Sequence, residues 1–128
     1  MAKLLIVDDD DPNRVVLRVR LQKAGHTVLE AATGEEGVSM AQSHRPDLIF
    51  LDVRLPKIDG FEVCHRLKQD SATRSIPVIL VTAYGEDIEK LQRGREGVAM
   101  PDAFFPKPWE PEQLQEVIDR LLPKGRRP

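Results

Sequence analysis

The chain has 128 residues and a single cysteine, is 41% hydrophobic and 31% charged, and carries a formal net charge of −2. That length suits one domain around one core. The balanced charge implies neither nucleic acid nor an anionic membrane as a partner by bulk electrostatics, the apolar runs are too short to span a bilayer, and Cys64 alone excludes an internal disulfide.

No charged-then-apolar leader opens the sequence, and a lone thiol fits a reducing compartment, so a cytoplasmic location is expected. His26, His44 and His65 share no metal-ligand spacing and are expected at solvated or half-buried positions.

Strand and helix patterns alternate along the chain. Lys3 to Val7 is an apolar run of strand length. Asp11 then reads as a helix N-cap with Pro12 at the first helical position. Leu17, Leu21 and Ala24 keep helical spacing, and Gly25 stops the helix. Thr27-Val28-Leu29 reads as a second strand. Thr33-Gly34-Glu35-Glu36 has capping-box spacing, which predicts a second helix closed by Arg45-Pro46. Asp47 to Leu51 is a third strand, so evenly apolar that burial on both faces is expected.

Asp59-Gly60-Phe61-Glu62 again has cap spacing, with a third helix through Val63, Cys64 and Leu67. Val78 to Val81 forms a fourth strand ending at Thr82. A fourth helix is expected near Glu86, weakened by Gly94 and Gly97. Ala103-Phe104-Phe105 is a fifth strand, closed by Pro106-Lys107-Pro108. The last helix carries Leu114, Val117, Ile118, Leu121 and Leu122 on one stripe.

Five strands alternating with five helices predict a doubly wound α/β sandwich with a five-stranded parallel sheet and an irregular fourth helix. One domain over residues 1–122 is expected, followed by a disordered basic tail or linker stub over 123–128. In open parallel sheets, ligands bind at the carboxyl ends of strands. The first strand ends in Asp8 and Asp9, the third in Asp52 and the fourth in Thr82, and Lys107 follows the fifth. Two or three carboxylates suit Mg²⁺, which prefers oxygen ligands. A carboxylate beside that cation can attack phosphorus. A hydroxyl and an ammonium can stabilise charge on the transferred phosphoryl oxygens.

Val7-Asp8-Asp9, Asp52 with Pro56-x-x-Asp59-Gly60, Thr82-Ala83 and Lys107-Pro108 resemble, in order and spacing, the response-regulator receiver domain of two-component signalling, typified by the single-domain chemotaxis regulator. The resemblance reaches to about Leu122 and implies a flavodoxin-like receiver fold. It implies a phospho-acceptor switch rather than an enzyme, with self-catalysed phosphorylation and dephosphorylation. Asp52 would accept a phosphoryl group from a sensor histidine kinase, a phosphotransfer protein or a small acyl-phosphate donor. Asp9, Asp52 and the backbone carbonyl of Arg54 would ligate Mg²⁺ directly, with Asp8 acting through a metal-bound water. Thr82 and Lys107 would contact the phosphoryl group, and Phe104 matches the switch aromatic. Arg54 and Tyr84 fall where the family tunes dephosphorylation.

No direct nucleic-acid binding or membrane insertion by this domain is implied, and the output partner is unspecified. The chain departs from the family between Thr82 and Lys107, where it carries about three extra residues. Three alternatives stand beside the switch: a receiver fragment of a larger transcriptional regulator, a receiver of a hybrid kinase, and a pseudo-receiver that binds partners without phosphorylation. A haloacid-dehalogenase-like phosphatase would need an Asp where Arg54 stands. A flavin carrier would need a phosphate loop where four aspartates stand.

Overall fold

All five strands expected from the sequence form, and they lie parallel in one sheet. The structure, a computed structural model, describes residues 2–82, 90, 97–106 and 111–122. The strands are β1 (Lys3–Val7), β2 (Thr27–Ala31), β3 (Leu48–Asp52), β4 (Val78–Thr82) and β5 (Ala103–Pro106). The helices among the described residues are α1 (Asp11–Lys23), α2 (Gly34–His44), α3 (Gly60–Gln69) and α4 (Pro111–Leu121). The helix expected near Glu86 and the tail over 123–128 fall outside the described residues.

Strand order is β2-β1-β3-β4-β5. This is the flavodoxin-like order, in which the winding reverses between β1 and β3 and opens a crevice beyond their carboxyl ends. The β1–β3 register runs from Leu4 opposite Leu48 to Val7 opposite Leu51. The β3–β4 register ends with Asp52 opposite Val81, and β4–β5 with Thr82 opposite Pro106.

Alternation along the strands splits the core into two layers. Leu4, Ile6, Leu48, Phe50, Ile79 and Val81 face α1 and α4, where Leu17, Leu21, Leu114 and Ile118 meet them. Leu5, Val7, Ile49, Leu51 and Leu80 face α2 and α3, against Ala41, Phe61, Val63 and Leu67. Leu48 to Leu51 of β3 are therefore apolar and buried at four successive positions, as their unbroken run predicts.

Side chains set the helix starts. The first helix begins one residue earlier than expected: Asp10, not Asp11, is the N-cap, and its carboxylate accepts from the Asn13 N–H at 2.9 Å. Pro12 therefore occupies the second helical position. Thr33 caps α2 by accepting from Glu36 N at 3.1 Å, while Glu36 accepts from Ala32 N at 2.9 Å. Asp59 caps α3 by accepting from Glu62 N at 2.9 Å. Gly25 stops α1 in the left-handed region at φ 96°.

The amino-terminal ends of the strands are fixed by carboxylates. Asp47 accepts from Lys3 N at 2.8 Å. Asp102 accepts from Val78 N at 2.8 Å and from Lys68 Nζ at 2.9 Å. The stretch where the sequence departs from the receiver pattern is anchored here too, since Ala99 N donates to His65 Nδ1 at 3.0 Å.

His26 corrects an expectation. It is only 4% exposed, and neither ring nitrogen has a hydrogen-bond partner. Burial pulls its pKa below the ordinary 6.5, with Asp119 opposing. The unfolded chain thus takes up a proton at higher pH than the folded one. The stability gained from the neutral ring is complete above pH 6.5 and is lost as pH falls through the lower folded value. Chemical denaturation across this range should show a decline that His26→Leu abolishes; an equal decline in the variant would assign it to other groups.

Candidate functional site

Three carboxylates meet in the crevice between β1 and β3. Asp8, Asp9 and Asp52 each offer an oxygen, and these oxygens all lie within 4.8 Å of one another. The fold brings them there because β1 and β3 are adjacent and end level. Asp8 is 7% exposed, Asp52 half-buried and Asp9 exposed. Three anions this close repel one another unless a cation lies between them.

The backbone holds the acids in place. Asp8 N donates to Ala31 O on β2 at 3.1 Å, and Val53 N, just after Asp52, donates to Val81 O at 3.1 Å. One oxygen of Asp8 accepts from Asp10 N at 2.9 Å. One oxygen of Asp52 accepts from Arg54 N at 3.0 Å. Two oxygens on one Mg²⁺ sit about 3.0 to 4.2 Å apart if each is about 2.1 Å from the metal. This cluster of carboxylate oxygens is the all-oxygen donor set that suits the ion.

The floor of this crevice is close-packed. A Cβ on Gly60 would lie 2.3 Å from the carbonyl oxygen of Asp52 and 2.8 Å from Val53 Cα. Gly60 N also donates to Val53 O at 2.8 Å. The first turn of α3 therefore rests directly on the residue that presents the Asp52 carboxylate.

Thr82 ends β4 and is 2% exposed, one position beyond the partner of Asp52 in register. Phe104, on β5, is partly buried against the α3 side of the core, its ring centroid 6.2 Å from that of Phe61. It also lines a recess of about 300 Å³ with Phe105, Gln113, Glu116, Val117 and Arg120. Lys107 and Tyr84 lie outside the described residues. Cys64 is buried, which pushes its thiol up to about 11 and leaves it protonated and inert at neutral pH.

Sequence reading did not single out Arg14. Its guanidinium joins three elements. Nη1 donates to the carbonyl of Asp8 at 2.7 Å, Nε to Glu30 on β2 at 3.1 Å, and Nη2 to Asp11. Arg18 adds a second cation on Glu30 at 3.0 Å. Burial alone would lower the Arg14 pKa, but its hydrogen bonds and charge contacts with Asp11 and Glu30 outweigh this and raise it, so it stays cationic. The signal available in the sequence was only an Asp-x-x-Arg pair on a helix, which reads as surface charge.

A doubly wound parallel sheet with an acidic triad at its switch point defines a signalling receiver domain. The chain belongs to the response regulator receiver domain family, whose model matches residues 4–119. Domains of this family are switches in two-component signalling rather than classical enzymes. The chain is similar to the transcriptional regulatory protein AfsQ1 of Streptomyces coelicolor, at 41% identity over 99% of this chain and 54% of that protein. It is also similar to the protein PilH of Pseudomonas aeruginosa, at 35% identity over 95% of this chain and 98% of PilH.

Among solved structures it resembles the receiver domain of the sensor histidine kinase PA1611 from Pseudomonas aeruginosa, with a TM-score of 0.83, 28% identity, and 94% and 96% of the two chains covered. That domain was solved with a magnesium ion coordinated in its active-site cleft. The chain spans about half the length of AfsQ1 and of most other curated relatives it matches, and nearly all of PilH. No described helix is long and apolar enough to cross a membrane.

Proposed function

We propose that this chain is a Mg²⁺-dependent phospho-acceptor switch in a two-component pathway. The observation that carries this reading is the convergence of Asp8, Asp9 and Asp52 oxygens within 4.8 Å at the β1–β3 crevice. Asp52 attacks the phosphorus of a phosphohistidine on a sensor histidine kinase or phosphotransfer protein. A carboxylate O–P bond forms, the P–N bond breaks, and the imidazole leaves. Bound Mg²⁺ would screen the carboxylates and neutralise charge on the phosphoryl oxygens.

Asp9, Asp52 and the Arg54 carbonyl would hold the ion, with Asp8 acting through a metal-bound water. Thr82 and Lys107 would bind the phosphoryl oxygens, and Phe104 would follow Thr82 inward, repacking the β5–α4 recess that a partner reads. The domain would work in the cytoplasm, over residues 1–122. A receiver unit of a longer regulator is the second reading, favoured by the 54% coverage of AfsQ1.

Incubation with Mg²⁺ and acetyl phosphate should add one phosphoryl group by intact mass, and a chelator should prevent it. A wild type that never gains the group sinks the proposal. By Mg²⁺ titration calorimetry, Asp9→Ala should weaken binding by at least ~tenfold, and more than Asp8→Ala does. The reverse order would assign the direct contact to Asp8.

A further inference from the structure

The loop that presents Asp8 and Asp9 is anchored to β2 and α1 by one guanidinium. We propose that Arg14 is a positioning residue for the metal ligands, fixing the Asp8–Asp9 peptide plane against β2 and α1. This inference rests on the Mg²⁺ reading above and adds a residue that never touches the ion.

The geometry supports it in three ways. First, the Asp8 carbonyl belongs to the peptide that links the two acids, and Arg14 Nη1 holds that oxygen at 2.7 Å. With Asp8 N held by Ala31 O at 3.1 Å, both polar backbone groups of Asp8 are fixed. Second, the guanidinium is itself immobilised. Its side chain is 16% exposed and is held by Glu30 and Asp11 from two different elements. A planar fork can bridge three oxygens in this way, whereas a lysine ammonium on a flexible stem cannot reproduce its geometry. Third, Mg²⁺ demands near-ideal octahedral geometry, so small displacements of its ligands are costly.

Electrostatics alone predicts the opposite sign. A cation beside a divalent site opposes binding, and removing Arg14 would leave Asp11 and Glu30 less compensated and the crevice more negative. Arg14, Arg18, Asp11 and Glu30 together carry no net charge, so Arg14 supplies its rigidity with little repulsion of the ion. Positioning and charge therefore give opposite outcomes when Arg14 is removed.

The test is calorimetric titration of the whole chain with MgCl₂, paired with the rate of acetyl phosphate labelling across Mg²⁺ concentrations. Arg14→Met should raise the Mg²⁺ Kd about tenfold. Arg14→Lys, which keeps the charge and most of the stem, should fail to restore it. The half-saturating Mg²⁺ for labelling should rise by the same factor, while the plateau rate is retained. Arg18→Met, which loses a Glu30 contact but none to Asp8, should stay within about twofold of wild type.

Tighter binding by Arg14→Met, or full rescue by Arg14→Lys, would make the residue a charge effect and overturn the proposal. A lower melting temperature with an unchanged Kd would make it merely structural and also overturn it. A wild type that binds no Mg²⁺ would instead bring down the metal-site reading and this inference with it.

Discussion

Asp52→Asn is expected to gain no phosphoryl group when incubated with Mg²⁺ and acetyl phosphate, under conditions that label the wild type once. Asparagine has the shape of aspartate, and its side-chain oxygen can still accept from Arg54 N, a bond of 3.0 Å in the wild type. The fold should therefore survive. What disappears is the anionic oxygen that attacks phosphorus, since a neutral amide is a far poorer nucleophile. The variant also loses one of three mutually repelling charges, so without divalent ions it should melt at a temperature no lower than wild type. Intact mass gives the first result and thermal unfolding in chelator the second. Labelling of Asp52→Asn at the wild-type rate would move the acceptor elsewhere.

Gly60→Ala is expected to cost about 2–3 kcal/mol of stability and to slow labelling as well. The added methyl would sit 2.3 Å from the Asp52 carbonyl oxygen, 2.8 Å from Val53 Cα and 2.9 Å from Leu80 Cδ2. Two of those three neighbours are backbone, and no rotamer change moves them. Either α3 lifts from the sheet or the end of β3 shifts. The second response displaces the Asp52 carboxylate, coupling stability to chemistry. The urea midpoint should fall with an unchanged slope, as it does when stability alone changes. A midpoint within experimental error of wild type would mean that α3 can move away without strain.

Much of the fold was legible because the strands are short apolar runs bounded by caps and prolines. Leu48 to Leu51 is buried throughout, and its continuous pattern said so directly. The acids were legible because Asp8, Asp9 and Asp52 terminate such runs, where a parallel sheet places its ligands. The first helix cap was misplaced by one residue because four consecutive aspartates offer no contrast; only the bond from Asn13 N picks out Asp10. His26 was misjudged because its burial comes from the tertiary fold, which local pattern does not encode. Arg14 was missed because the contact that matters is to a backbone carbonyl, that of Asp8, and because Glu30, which steadies it, lies 16 residues away on another element. Lys107 and the expected fourth helix fall outside the described residues, so their expectations stand as proposals.

The pairing of β1 with β3 has a kinetic corollary. Every neighbour in this sheet is distant in sequence; Lys3 N, for example, meets a carboxylate 44 residues further along. No hairpin can form early, and loop closure must precede any strand contact, which slows folding. The acidic triad is incomplete in a half-assembled chain, because Asp8 and Asp9 follow β1 while Asp52 arrives on β3. A divalent ion therefore lacks its full set of carboxylates until the central strands have docked. Its stabilisation should appear as slower unfolding, with the folding rate nearly unmoved.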